Sequence, residues 1–212
     1  IIWATNTPKQ DLAWFQDVMG TSVIPGGPHP GFGTRNELIG LTNDGLYLEI
    51  IYTDPEQDST GTIAQAMATL TSGGVYHWAA RHSDLDALAE TADTHGIAHT
   101  GKIPVSRTLS NGTVIAWHLL FLRGHGLGGV IPFFIDWGTA PHPSKSLPAS
   151  YRLSALTLHS PKPKAVTAML GLFGLSVSTV KADAPSITAV MTDGAQSIIL
   201  PAAKPFKDGF AV

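Results

Sequence analysis

The sequence predicts an α+β protein made of repeated βαβββ modules, with curved mixed sheets around a cup-shaped cleft. Three observations lead there. Strand-like and helix-like periodicities recur in the order strand, helix, strand, strand, strand. The helix-ending segments Asp17-Val18-Met19-Gly20 and Leu170-Gly171-Leu172-Phe173-Gly174 resemble each other, each closing on glycine before a strand. Asp-Gly pairs at Asp44-Gly45 and Asp193-Gly194 mark hairpins late in the first and last repeats.

Residues 1–60 form the first module. Ile1 to Thr5 is a short β-prone run, and Lys9 to Met19 places Leu12, Phe15 and Met19 on one helical face, with Gly20 as C-cap. A strand starts at Val23-Ile24 and gives way to a Gly/Pro-rich loop, Pro25 to Gly33. The strands Glu37 to Leu41 and Leu46 to Tyr52 follow, joined through Thr42-Asn43-Asp44-Gly45. Residues 61–74 are a connector, with a helix over Thr62 to Leu70 and a break at Ser72-Gly73-Gly74.

Residues 75–140 repeat the order. Val75 to Ala80 is a strand, Ser83 N-caps a helix with an apolar stripe of Leu85, Leu88 and Ala89, and His95-Gly96 ends it. A short strand, Ile97 to His99, precedes the long strands Thr113 to Leu122 and Val130 to Trp137. The turn Ser110-Asn111-Gly112 leads into the first of these, and Arg123 to Gly129 joins them. After the linker 141–150, residues 151–212 read as a third βαβββ-like module. It has a strand at Tyr151 to His159 and a helix at Pro163 to Phe173, followed by strands at Val177 to Lys181, Ile187 to Met191 and Ser197 to Leu200.

Composition narrows the function. Hydrophobic residues are 43% and charged ones 14%, enough apolar surface for packed cores and contrary to a disordered chain. A formal charge of -3 without any basic run argues against nucleic acid and against an anionic membrane surface. With 0 cysteines there are no disulfides, thiolate nucleophiles or Cys-rich zinc sites, which suits a cytoplasmic protein. No apolar run has the length of about 20 residues that a spanning helix needs, and no signal peptide is visible. The opening Ile1-Ile2-Trp3 reads as mid-strand, so residues are expected before it. Gly124 to Gly129 lies between two strands with no following helix or Lys-Ser/Thr pair, and there is no Gly-x-Ser-x-Gly elbow, so neither a phosphate loop nor an α/β-hydrolase is supported.

The run Gly27-Pro28-His29-Pro30-Gly31-Phe32-Gly33-Thr34-Arg35-Asn36, then Leu46 to Ile51 and Asp54-Pro55, resembles the glyoxalase-like domain family of the vicinal-oxygen-chelate superfamily. The resemblance continues through Ser106-Arg107, Gly112, Trp117, Pro132 to Gly138 and His142-Pro143. It implies paired βαβββ modules curled around a ligand. It also implies that the cup can hold one divalent metal ion, such as zinc, iron, manganese or nickel, with ligands from the first and last strands of the two modules. No organic cofactor is indicated. The superfamily spans isomerases, epimerases, dioxygenases, thiol-transferases and metal-free binding proteins, so the scaffold leaves the reaction open.

Glu49 shares a strand face with Tyr47 and Ile51, where a carboxylate is costly to bury without a cation or donors; otherwise it is an edge charge facing solvent. His77 is a ligand or base candidate, or else a core histidine bonded to backbone. Asp136 is placed as the counterpart of Glu49 in the second module, or as a cap on the turn before Gly138. Glu49, His77 and Asp136 would make up the metal site, with Glu49 and His77 as the catalytic pair. The first-strand ligand of module one would precede Ile1, and its internal counterpart near Val75 cannot ligate. His29, Arg35, Asn36, Arg107, His118 and Trp137 are the substrate-binding candidates, the arginines for a carboxylate or phosphate. His118 and Trp117 have opposite parity, so one of them faces away from the cup.

The expectation is a glyoxalase-like small-molecule enzyme acting on a carbonyl- or carboxylate-bearing substrate by proton abstraction or lyase/isomerase chemistry. The alternative is a non-catalytic small-molecule binding or resistance protein on the same fold. A third reading is an interaction scaffold that dimerises through the third module, and a homodimer is a further expectation.

Overall fold

A computed structural model describes residues 1–108 and 112–206; the expected turn at Ser110-Asn111 lies outside these residues. The chain is mixed α+β, with several sheets and short helices, in agreement with the expected class.

The first sheet uses β1 (Ile2–Ala4), β2 (Ile24–His29), β3 (Thr34–Gly40) and β4 (Tyr47–Thr53), with α1 (Pro8–Met19) crossing between β1 and β2. Its order is β2-β3-β4-β1, with β1 parallel to β4 and the other pairs antiparallel. Strand alternation decides the faces. Leu48 and Ile50 point to the core that takes Phe15 and Met19 of α1, which leaves Tyr47, Glu49 and Ile51 on the opposite side.

The segment expected as a loop from Pro25 is instead edge strand β2, with a bulge between Pro25 and Gly27. Proline lacks an N–H, so an edge is where a ladder tolerates it. Gly26 and Gly27 permit the rest. A Cβ at Gly26 would sit 1.9 Å from Asn36 Oδ1, and Gly27 has φ 126°.

After α2 (Ile63–Met67), the strand expected over Val75 to Ala80 is split at Trp78. Its first part, β5 (Gly74–His77), joins the first sheet beside β1, and its second, β6 (Ala79–Arg81), starts the second sheet. Two bonds fix the corner: Trp78 N donates to His77 Nδ1 at 2.9 Å, and Trp78 Nε1 donates to the Val130 carbonyl at 2.9 Å. The second module continues with α3 (Leu85–Thr94), β7 (Ala98–His99), β8 (Ile103–Thr108), β9 (Val114–Leu120), β10 (Leu122–Arg123) and β11 (Phe133–Asp136). The N-cap of α3 is Asp84, which accepts from Ala87 N at 2.9 Å, one residue beyond the expected Ser83. The order β6-β11-β9-β8, with β6 parallel to β11, repeats the connectivity of the first sheet.

The last unit has the same element order in β12 (Arg152–Ser160), α4 (Pro163–Leu172), β13 (Ser178–Lys181), β14 (Ser186–Thr192) and β15 (Ser197–Leu200). Its pairing differs. Here β12 is central, parallel to β13 and antiparallel to β14, and β15 lies beyond β14. The first strand therefore does not pair with the last, as it does in both earlier modules. Leu158, Val166, Leu170, Ile187 and Met191 of this unit join the core that includes Leu48 and Trp78.

Candidate functional site

The two repeated sheets share one cleft of about 1160 Å³, the open mouth included. From the first module come His29 of β2, Thr34, Asn36 and Leu38 of β3, and Tyr47, Glu49 and Ile51 of β4. The second contributes Val105 and Arg107 of β8, Trp117 and Leu119 of β9, Phe121 just after β9, Phe133 and Ile135 of β11, and Trp137. Ala79 and Arg81 of β6 and His142 after the second module complete the lining.

Glu49 is the acid of this cleft, with 14% of its side chain exposed. Asn36 Nδ2 donates to its Oε1 at 2.6 Å, and His29 Nε2 lies 3.5 Å from the same oxygen. Among the described residues, no hydrogen bond reaches Oε2. His29 Nδ1 is 2.9 Å from Thr34 Oγ1, and that hydroxyl can donate to Nδ1, which leaves the ring proton on Nε2 toward Glu49. Burial holds the His29 pKa below its ordinary value, and the positive charge of Arg107 adds to this against the pull of Glu49. His29 is therefore a neutral imidazole at pH 7. Tyr47, on the same strand face, has its phenol pKa pushed up by burial and by the Glu49 charge, so it stays protonated.

Arg107 faces this acid from the other sheet. It has no ion pair and no side-chain hydrogen bond among the described residues, and its Nε is buried without a partner. Burial lowers its pKa, opposed by Glu49 and Tyr47, although guanidinium stays charged at any ordinary pH. Its Cζ lies 6.0 Å from the Trp117 ring centroid, within cation-π reach. Asn36 Oδ1 and Trp137 Nε1 are also buried and unpartnered.

The site residues expected from sequence divide into two groups. His29, Asn36, Glu49, Arg107 and Trp137 come together in the cleft. The others do not. Arg35 points to the outer face of β3, where its Nη1 lies 3.7 Å from Asp54 Oδ1. His118 has the opposite parity to Trp117 and Leu119, which line the cleft, so it lies on the far face of β9. Asp136 alternates with Ile135 and Trp137 in the same way and accepts a turn bond from Gly138 N at 2.8 Å. His77 is 3% exposed and sits behind the lining, its ring 5.5 Å from that of Phe133. Its pKa is lowered to about 4 by burial. Glu49, His77 and Asp136 therefore do not converge. Tyr47, Arg81 and His142 were not among the expected site residues; strand alternation puts Tyr47 on the face of Glu49, and spatial closure of the two modules brings in Arg81 and His142.

The first and last strands of both modules turn Ile2, Tyr47, Glu49, Ile51, Ala79, Arg81, Phe133 and Ile135 into the cleft. Glu49 alone among these is a metal ligand, and Arg81 is a cation. His29 of β2 and His142 are the other imidazole and carboxylate side chains of the lining, yet no group of three or more His, Cys, Asp or Glu able to hold an ion occurs among the described residues. The residues present do not fit a divalent metal centre.

Two repeated modules close on one cleft through parallel first and last strands, the paired βαβββ arrangement expected of a glyoxalase-like domain. The chain belongs to the glyoxalase-like domain family, whose profile matches residues 1–172. That match ends within the third unit, at the last residue of α4. No curated protein matches the sequence. Among solved structures, a hypothetical protein from Staphylococcus aureus is similar over 94% of this chain and 82% of its own, with TM-score 0.64 and 16% identity. A methylmalonyl-CoA epimerase from Mycobacterium tuberculosis is similar over 68% of this chain and 89% of its own, with TM-score 0.49 and 18% identity. A variant of the Streptomyces coelicolor methylmalonyl-CoA epimerase, crystallised with 2-nitronate-propionyl-CoA, is similar over 66% and 95%, with TM-score 0.46 and 21% identity. At these identities the likeness is one of fold. No described helix is long and apolar enough to cross a membrane.

Proposed function

We propose that the protein is a small-molecule enzyme in which Glu49 removes a proton from carbon beside a carbonyl group, with Arg107 holding the oxygen that gains charge. One observation carries this reading: a cleft carboxylate with one oxygen fixed by Asn36 and the other unbonded faces an unpaired guanidinium across the cavity. Fixing Oε1 orients Glu49 and leaves Oε2 for the substrate. The C–H bond breaks, its proton passes to Oε2, and the electron pair moves onto the neighbouring oxygen as an enolate. Arg107 meets the negative charge there. Return of the proton from Glu49 to the same carbon, or to another, gives exchange or isomerisation. Neutral His29 and protonated Tyr47 can donate to oxygens without adding charge beside the base.

Every step uses side chains of this chain, so the reaction is expected to survive a chelator. The test is solvent deuterium wash-in, followed by NMR, into a panel of 2-oxo acids and thioesters. Exchange by wild type, with and without chelator, that disappears in Glu49→Gln supports the proposal. Ligands that bind without exchange in any of them would instead favour a non-catalytic binding protein on this fold.

A further inference from the structure

The second module presents to the cleft a wall that Glu49 chemistry does not use. Trp117, Leu119, Phe121, Phe133, Ile135 and Trp137 all line it, and each keeps less than a tenth of its surface exposed. The aromatic rings pair, one couple stacked and the other tilted. Phe121 and Phe133 have centroids 5.1 Å apart at 28°, and Trp117 and Trp137 are 5.2 Å apart at 34°. Such a surface is satisfied by a flat apolar body more than by a hydrated or branched polar one.

Two cations line this side of the cleft, Arg81 of β6 and Arg107 of β8, and of these Arg107 carries the buried nitrogen without a partner. Arg107 stands beside Trp117 on the neighbouring strand, with Val105 and Trp117 paired in register. It is half-buried, and among the described residues its Nε has no partner and no carboxylate lies within ion-pair distance. A desolvated guanidinium without a counter-ion is costly, and an anionic ligand group removes that cost. The opposite wall carries the negative charge of Glu49. An anionic group is therefore repelled from one side and drawn to the other, which fixes which way round a ligand enters. Trp137 Nε1, buried and unpaired, is an available donor on the same wall.

Resting on the reading of this cleft as a substrate site, we infer that the substrate is an aromatic or similarly flat apolar carboxylic acid. Its carboxylate is held by Arg107 and its body lies against the second module's wall. The first module thus supplies the base, and the second supplies the wall and Arg107, which holds the carboxylate and meets the charge on the adjoining enolate oxygen.

The probes are 3-phenylpropanoate, which has both features, butanoate, which lacks the ring, and 3-phenylpropanamide, which lacks the charge. Isothermal titration calorimetry on the intact protein is expected to show 3-phenylpropanoate binding at least about tenfold tighter than either of the others. Arg107→Met is expected to weaken 3-phenylpropanoate by about tenfold or more while leaving the amide unchanged. Glu49→Gln should bind 3-phenylpropanoate at least as tightly as wild type, because a repelling charge is removed. Binding that is equal for butanoate, unaffected by Arg107→Met, or absent for 3-phenylpropanoate up to about 10 mM would overturn the inference. Failure of the proton-transfer reading is distinct: it would appear as deuterium exchange unchanged in Glu49→Gln, whatever the calorimetry shows.

Discussion

The two modules that close the cleft share a connectivity and differ in what they turn toward it. In each, the first strand runs parallel to the last; the far edge is β2 in the first module and β8 in the second, where the strand directly after the helix, β7, pairs with β10 instead. On β3 and β4 the cleft-facing positions hold Thr34, Asn36, Tyr47 and Glu49; on β9 and β11 the corresponding face holds Trp117, Leu119, Phe133 and Ile135. The first wall is hydrogen-bonding and acidic, and the second is apolar with Arg107 beside it. Repetition has thus preserved backbone register while side-chain parity made room for two kinds of wall. A symmetric chelate, with ligands from both modules, would need the second wall to repeat the acid of the first. It has isoleucine and phenylalanine there instead.

Breaking the acidic wall should have the largest effect. Glu49→Gln keeps shape and the Asn36 contact region but removes the base, and kcat is expected to fall by about 10³-fold, with an unchanged melting temperature. Loss of less than about tenfold would move the chemistry elsewhere. The junction between the modules comes next. His77 is buried neutral with its pKa lowered from 6.5 to about 4. The unfolded chain takes up a proton as pH falls through about 6.5 and the folded chain does not. Stability is therefore fully present above that pH and declines toward pH 4, by up to about 3 kcal/mol. Denaturant unfolding at pH 7 and pH 5 measures this, and His77→Gln is expected to flatten the difference.

On the second wall, Arg107→Met should raise KM for an anionic substrate by about ten- to a hundredfold, the worth of a charge-assisted bond, and also lower kcat because the same guanidinium meets the enolate charge, as steady-state kinetics will show. The smallest effect is expected on the far face. Asp136→Asn removes a charge that accepts from Gly138 N outside the cleft, so kcat/KM should stay within about twofold. A large loss there would mean that both modules contribute acids after all.

The repeat was legible because it is written in periodicity. The apolar stripes of α1 and α3 and the strand alternation around Glu49 put Phe15, Leu88 and Leu48 into cores, as expected. Parity also settled that either Trp117 or His118 faces the cup. What the sequence could not show was register between distant strands. Asp136 was one residue out of phase with the cleft, and no local signal fixes that phase when Phe133 to Trp137 is apolar on both faces. The split at Trp78 is a tertiary event, set by a bond to the Val130 carbonyl far along the chain. The strand through Pro25 and Pro28 was hidden by two residues that ordinarily break ladders, tolerated because β2 is an edge. The third unit has the expected element order, yet its β12 lies centrally, and pairing order leaves no mark in a single sequence.

The central claim is that Glu49 of the first wall does the proton chemistry on a substrate that the second wall holds. Its most direct test is wash-in of solvent deuterium at C3 of phenylpyruvate, followed by NMR, by chelator-treated wild type and by Glu49→Gln. The account predicts exchange well above the buffer rate in wild type and at the buffer rate in the variant. Equal exchange in both, or exchange in wild type that returns only when a divalent ion is added, would contradict it.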